Sequence, residues 1–107
     1  MYKLCFYVPE DSLEQVKTAL FQAGAGQIGE YSQCCWQAKG EGQFMPLNNS
    51  SPFIGDQNKL EKISEYKVEM VCDARYIKAS IDALLNSHPY ETPAYQVIKC
   101  ETSFLQG

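Results

Sequence analysis

The chain has 107 residues, of which 45% are hydrophobic and 21% are charged, and its formal net charge is −4. These values predict one globular domain, residues 1–107, that is long enough to bury a core. No apolar run approaches the ~20 residues of a membrane helix. We therefore expect no membrane partner. The basic residues are scattered rather than gathered in a stripe, so we also expect no nucleic-acid partner.

The N-terminal residues lack the long apolar region and the small-residue cleavage site of a secretory signal peptide, and we expect a cytoplasmic location. The five cysteines are an odd number and include no CxxC pair. They are predicted to be reduced thiols that act mainly as small buried hydrophobes. These cysteines are Cys5, Cys34, Cys35, Cys72 and Cys100.

The first predicted strand covers residues 2–8, and both of its faces are largely apolar. A helix start follows, with Ser12 and Gln15 at the spacing of a capping box. The apolar face of this helix consists of Leu13, Val16, Leu20 and Phe21. Three glycines in residues 24–29 then predict a tight turn. They do not match a dinucleotide fingerprint, because that motif follows a strand and opens a helix.

The middle of the chain predicts a hairpin and a long loop. Residues 31–39 form a second strand, with Cys34, Trp36 and Ala38 on one face. Residues 40–42 are predicted to turn, and residues 43–46 to begin a returning strand. Residues 47–58 are rich in Asn, Ser, Pro and Gly, with Phe53 and Ile54 as anchors. A loop of this length in a compact domain is usually functional or mobile.

The last part of the chain predicts strand, helix and strand. Residues 66–72 alternate as a strand, and Asp73 is placed to cap the next helix. The apolar face of that helix is Ile77, Ile81, Leu84 and Leu85. The helix runs into His88, and the final strand covers residues 94–100.

Residues 88–95, which we call the connector, combine the chain's only histidine with two prolines, two tyrosines and a glutamate. Pro89 and Pro93 lack a backbone N–H and push the preceding residue away from helical geometry, so the helix must stop here. Polar groups gathered in a loop on a rigid scaffold are typical of a functional site. The alternative is that the prolines stiffen a turn and the tyrosines fill the core.

The order of elements predicts an α+β fold, a split βαβ sandwich in which two helices cover one face of an antiparallel sheet. The strands are apolar on both faces, yet two helices cover only one. We therefore expect the second face to need a partner surface, and self-association would provide it.

Four motifs resemble one known family. They are GAGQIGEY at 24–31, GEGQFMP at 40–46, PFIG at 52–55 and HPYETPAY at 88–95. Together they resemble the inserted middle domain of the NIF-three-like proteins (the YqfO group), which is related in fold to CutA and the PII signalling proteins. The resemblance implies a ferredoxin-like fold, a free-standing version of the insert, and CutA-like oligomers that are most often trimers.

The resemblance does not extend to the family's metal centre. Full-length members flank the insert with two halves that carry a dinuclear site built from several histidines and carboxylates. This chain has a single histidine. We therefore expect no bound cofactor and no dinuclear metal site here.

The leading hypothesis is a small oligomeric binding or regulatory module that holds a small molecule or a protein partner. The 47–58 loop and the connector would close a cleft between subunits. The predicted ligand-binding residues are His88, Tyr90, Glu91, Tyr95, Glu61 and Glu65. The carboxylates would accept hydrogen bonds, the tyrosines would stack, and the histidine would change charge near neutral pH.

Two other functions stay open at this point. A CutA-like divalent metal site would have to assemble across subunits from His88, Glu91 or a cysteine, because no spaced pair of ligands is present. An enzyme would need acid–base chemistry from Tyr90 and Glu91. No nucleophile–base pair and no phosphate-binding loop is visible, so we expect no enzymatic activity and assign no catalytic residue.

Overall fold

The structure is a computed structural model, and it describes residues 1–102. These residues contain four strands: β1 (Tyr2–Pro9), β2 (Trp36–Phe44), β3 (Glu61–Cys72) and β4 (Tyr95–Lys99). The two α-helices are α1 (Leu13–Gln22) and α2 (Ile77–Ser87), and each follows a single 3₁₀ turn. All pairings are antiparallel, and the strand order is β2-β3-β1-β4. The predicted α+β split βαβ fold is confirmed.

The core lies between the sheet and both helices. Leu4 is paired with Met70 on β3 and with Val97 on β4, so the three side chains share one face of the sheet. The buried cluster on this face also includes Leu20 of α1 and Leu84 of α2. Both helices therefore cover the same face. We call the opposite side the open face.

The helix ends agree only in part with the sequence pattern. The side chain of Asp73 accepts a hydrogen bond from the Arg75 N–H at 2.9 Å, as predicted for a cap. Gly24 ends α1 in the left-handed region, with φ 111°. The predicted capping box at Ser12 is wrong, because the Ser12 side chain forms no capping hydrogen bond.

The predicted apolar face of α2 is wrong at one residue. Leu85 lies on the solvent side of α2 and is 44% exposed.

The predicted turn at residues 40–42 is wrong. β2 runs straight through it, with Gly40 opposite Glu65 and Gly42 opposite Ile63. The reason is that β3 begins five residues earlier than its sequence pattern indicates, and this extension supplies a hydrogen-bonding partner for the whole of β2. The predicted returning strand at residues 43–46 is therefore the end of β2 and the start of a loop, residues 45–60.

The open face is more polar than the sequence pattern predicts. Lys3 Nζ lies 2.6 Å from Glu69 Oε1, and Lys67 Nζ lies 3.8 Å from the same oxygen. Trp36 and Ile98 lie on this face and remain 62% and 53% exposed. The open face is thus a charged centre flanked by exposed apolar side chains. No helix within residues 1–102 is long and apolar enough to cross a membrane.

Candidate functional site

The connector begins where α2 ends. Ser87 is the last helical residue, and His88 is extended, with φ −74° and ψ 136°. This is the geometry that a following proline favours, because its ring disfavours a helical residue before it. The His88 N–H donates to the Leu84 carbonyl at 2.9 Å and closes the helix. The connector then crosses the end of the sheet to β4.

His88 anchors the connector to β1. Its side chain is only 6% exposed, and its Nε2 lies 2.7 Å from the Tyr7 carbonyl oxygen. The Tyr90 N–H donates to His88 Nδ1 at 3.1 Å. Because Nδ1 accepts, the network assigns the proton to Nε2 and makes the ring neutral. Burial lowers the pKa of His88, and the Tyr7 carbonyl and Glu65 oppose that shift only in part.

This arrangement predicts a pH dependence of stability. The pKa of His88 in the folded protein lies below its ordinary value of 6.5, so the unfolded chain binds a proton more readily. The contribution of the neutral His88 ring to the free energy of unfolding is therefore fully present above about pH 6.5. Below that pH the free energy of unfolding falls, by at most about 1.4 kcal/mol per pH unit for one proton. Urea unfolding at pH 7.5 and 5.5 measures this fall. His88 is the only histidine, so equal stability at both values would contradict the neutral, buried assignment.

Tyr90 and Glu65 form the polar centre of the site. The Tyr90 hydroxyl donates to Glu65 Oε2 at 2.6 Å. The Tyr90 ring lies 4.8 Å from the His88 ring and 5.9 Å from the Phe44 ring, measured between centroids. Burial and the neighbouring Glu65 raise the pKa of Tyr90 far above its ordinary value, so it stays a hydrogen-bond donor. The side chain of Glu65 leans over Gly42, where a Cβ atom would overlap its carboxylate.

Glu91 joins the connector to the long loop. Its Oε1 accepts a hydrogen bond from the Ser51 N–H at 3.0 Å. The loop therefore folds back from the end of β2 across the end of the sheet. The sequence predicted that the loop and the connector meet in a cleft between subunits. In this structure they meet within one chain.

A groove of about 930 Å³ lies on the open face beside this junction. Its floor includes Tyr7, Gly40 and Gly42, and its walls include Phe44, Phe53 and Tyr90. A Cβ atom at Gly40 would meet no atom within 4 Å, so the floor is bare there. The volume and the mixture of apolar walls with a few polar groups are typical of a small-molecule site.

The structure brings together only part of the predicted site. Glu65, Tyr90 and Glu91 line the groove. His88 lies behind Tyr90, with both ring nitrogens bonded to backbone. Tyr95 pairs with Phe6 and packs against the core on the helix-covered face. Glu61 packs over Gly55 and is outside the groove lining.

Sequence reasoning missed Gly40, Gly42, Phe44 and Tyr7 as groove residues. The available signal for the three β2 residues was the alternation from Trp36 through Ala38, which places Gly40, Gly42 and Phe44 on one face of an unbroken strand. The two glycines suggested a turn and hid this pattern. Within residues 1–102, no group of three His, Cys, Asp or Glu side chains is close enough to hold a metal ion.

Comparison with known proteins relates the chain to one set of relatives. It is 46% identical over 99 residues to a Bacillus subtilis protein named GTP cyclohydrolase 1 type 2 homolog, and the match covers 92% of the chain and 26% of that relative. A Mycobacterium leprae protein of the same name is 43% identical, with 89% and 25% covered. A Bacillus cereus protein related to NIF3 superposes with a TM-score of 0.81 and 34% identity, over 94% of this chain and 26% of that one. The chain is homologous to one segment of the NIF3-related proteins. No family model matches the chain.

The NIF3-related segment spans about a quarter of the length of the curated relatives that it matches. Its fold is also that of CutA. The Archaeoglobus fulgidus CutA, described as a periplasmic divalent cation tolerance protein, superposes with a TM-score of 0.68 at 16% identity, over 99% of this chain and 90% of that one. This likeness shows the fold alone. The predicted resemblance to both groups is confirmed.

Proposed function

We propose that this chain is a small binding module that holds a small organic ligand in the groove on its open face. The observation that carries the proposal is the junction of the long loop with the connector, fixed by the bond between Ser51 and Glu91, above a floor that is bare at Gly40. The chain matches about a quarter of each of the longer relatives. The GTP cyclohydrolase name describes those longer proteins.

In this proposal the predicted site residues have different roles. Tyr90, Glu65 and Glu91 contact the ligand directly, because they line the groove. His88 holds Tyr90 in place through its bonds to backbone and does not contact the ligand. Tyr95 and Glu61 support the surrounding structure from outside the groove.

A thermal-shift screen against nucleotides including GTP, common metabolites and divalent metals tests this function. A compound at a hundredfold excess over its Kd is expected to stabilise the protein by about 2.7 kcal/mol. We expect an organic compound to give this result. A blank screen would contradict the proposal and point to a protein partner, while stabilisation by metals alone would favour the CutA-like alternative.

We also propose that the module is a homo-oligomer, most simply a trimer. Trp36 and Ile98 leave apolar surface on the open face, and β2 and β4 are both edge strands. A closed ring of copies would cover this surface and the strand edges. The number three rests on the resemblance to CutA. Light scattering on a sizing column is expected to give the mass of three chains, and a monomer at tens of micromolar would contradict self-association.

A further inference from the structure

The groove carries uncompensated negative charge. Two carboxylates line it, those of Glu65 and Glu91, together with the ammonium of Lys67. Glu41 and Lys39 border the groove with their backbone, because their positions in β2 direct both side chains to the opposite face of the sheet. Glu65 accepts its hydrogen bond from a neutral hydroxyl, and Glu91 accepts from a backbone N–H. Neither carboxylate forms an ion pair with any side chain in the described part of the chain.

The lysine on the groove face has its carboxylate partner outside the groove. Lys67 Nζ lies 3.8 Å from Glu69 Oε1, and Glu69 does not line the groove. The same oxygen lies 2.6 Å from Lys3 Nζ. The carboxylates of Glu65 and Glu91 therefore outnumber the one lysine ammonium on the groove face.

Aromatic rings surround this negative charge. Tyr7, Phe44, Phe53 and Tyr90 all line the groove, and Phe44 packs against Tyr90. The face of an aromatic ring attracts a cation, most strongly where water is excluded. A carboxylate beside such rings also forms strong charge-assisted hydrogen bonds with N–H donors. The bare floor at Gly40 leaves room for a flat or apolar body.

We propose that the ligand of this groove is an organic nitrogen cation, an amine, amidinium or guanidinium carried on an apolar body. Its charged group would bond to Glu65 and lie against the aromatic rings, while its body would lie over Gly40. This inference rests on the proposed binding function and specifies the ligand class. An anionic ligand is disfavoured because the carboxylates of Glu65 and Glu91 outnumber the one lysine ammonium on the groove face, that of Lys67.

Benzamidine and benzamide provide the test, because they share ring and shape and differ in charge. Each is titrated into the ¹⁵N-labelled protein, and amide shifts give the Kd and the location. We expect benzamidine to bind about tenfold more tightly, as for a charge-assisted hydrogen bond in a partly desolvated site. The shifts should centre on Gly40, Gly42 and Tyr90.

Variants separate charge from shape. Glu65→Gln keeps an acceptor for the Tyr90 hydroxyl and should abolish the preference for benzamidine, while its amide spectrum reports that it is folded. Tyr90→Phe leaves the Glu65 charge in place and should keep the preference. Glu30→Gln, an exposed change outside the groove, should have no effect.

The outcomes also separate this inference from the binding function. Equal binding of both compounds in the groove would overturn the cation inference and leave the binding function intact. A preference that survives in Glu65→Gln, shifts that centre outside the groove, or no shift with benzamidine would each overturn the inference. The screen above then decides the binding function by itself.

Discussion

Replacing His88 with Ala is expected to lower the free energy of unfolding by roughly 3 kcal/mol. The side chain is buried and bonded at both nitrogens, to the Tyr7 carbonyl at 2.7 Å and to the Tyr90 N–H at 3.1 Å. Truncation leaves both backbone groups without their partner and opens a cavity under the connector. Urea unfolding at pH 7.5 measures the change.

Thr92→Ala is the control for this variant. Thr92 is an exposed residue of the same connector, and its truncation should change stability by less than about 0.5 kcal/mol. If His88→Ala matched this control, the histidine would not anchor the connector. A large loss would support its assignment as the anchor of the connector.

Replacing Tyr90 with Ala is expected to cost about 2.5 kcal/mol. The ring is half-buried between Phe44 and His88, and its hydroxyl bonds to Glu65 at 2.6 Å. Tyr90→Phe keeps the ring and loses only the hydroxyl, so it should cost about 1 kcal/mol. Thermal and urea unfolding of both variants give the two values.

These two values decide between the two interpretations of the connector, which are a functional site and a stiffened turn whose tyrosines fill the core. Tyr31→Ala is the control, because Tyr31 is 75% exposed and its loss should be nearly neutral. If Tyr90→Ala were as mild as the control, the tyrosine would be a free surface residue. The expected intermediate cost means that Tyr90 both supports the fold and presents one edge to the groove.

The sheet and helices could be predicted because local patterns determine them. The alternation in β1 placed Leu4 and Phe6 on the same face of the strand, and the 3.6-residue period of α1 placed Val16 and Leu20 on the same face of the helix. All four side chains are buried. The N-cap at Asp73 and the left-handed Gly24 follow from single-residue chemistry. Each of these features depends on neighbours in the sequence.

The site was harder to predict because distant contacts build it. His88 bonds to the Tyr7 carbonyl, 81 residues away, and Ser51 bonds to Glu91 across 40 residues. Glu65 lies over Gly42, which explains a glycine in mid-strand only once the pairing of β2 with β3 is known. The residue types of the connector indicated a site. They could not show that His88 lies behind it and Tyr95 on the other face.

The most direct test of the binding site is to fill the groove from within. Gly40 is on its floor, with nothing within 4 Å of the position of a Cβ atom, so Gly40→Phe should fold and occupy the groove. Lys62→Phe adds the same ring at an exposed position on the opposite face of the sheet, outside the groove. The compound with the largest thermal shift is then titrated into both. We predict that its affinity falls at least about tenfold in Gly40→Phe and is unchanged in Lys62→Phe. Unchanged affinity in a folded Gly40→Phe would contradict the assignment of the groove as the binding site.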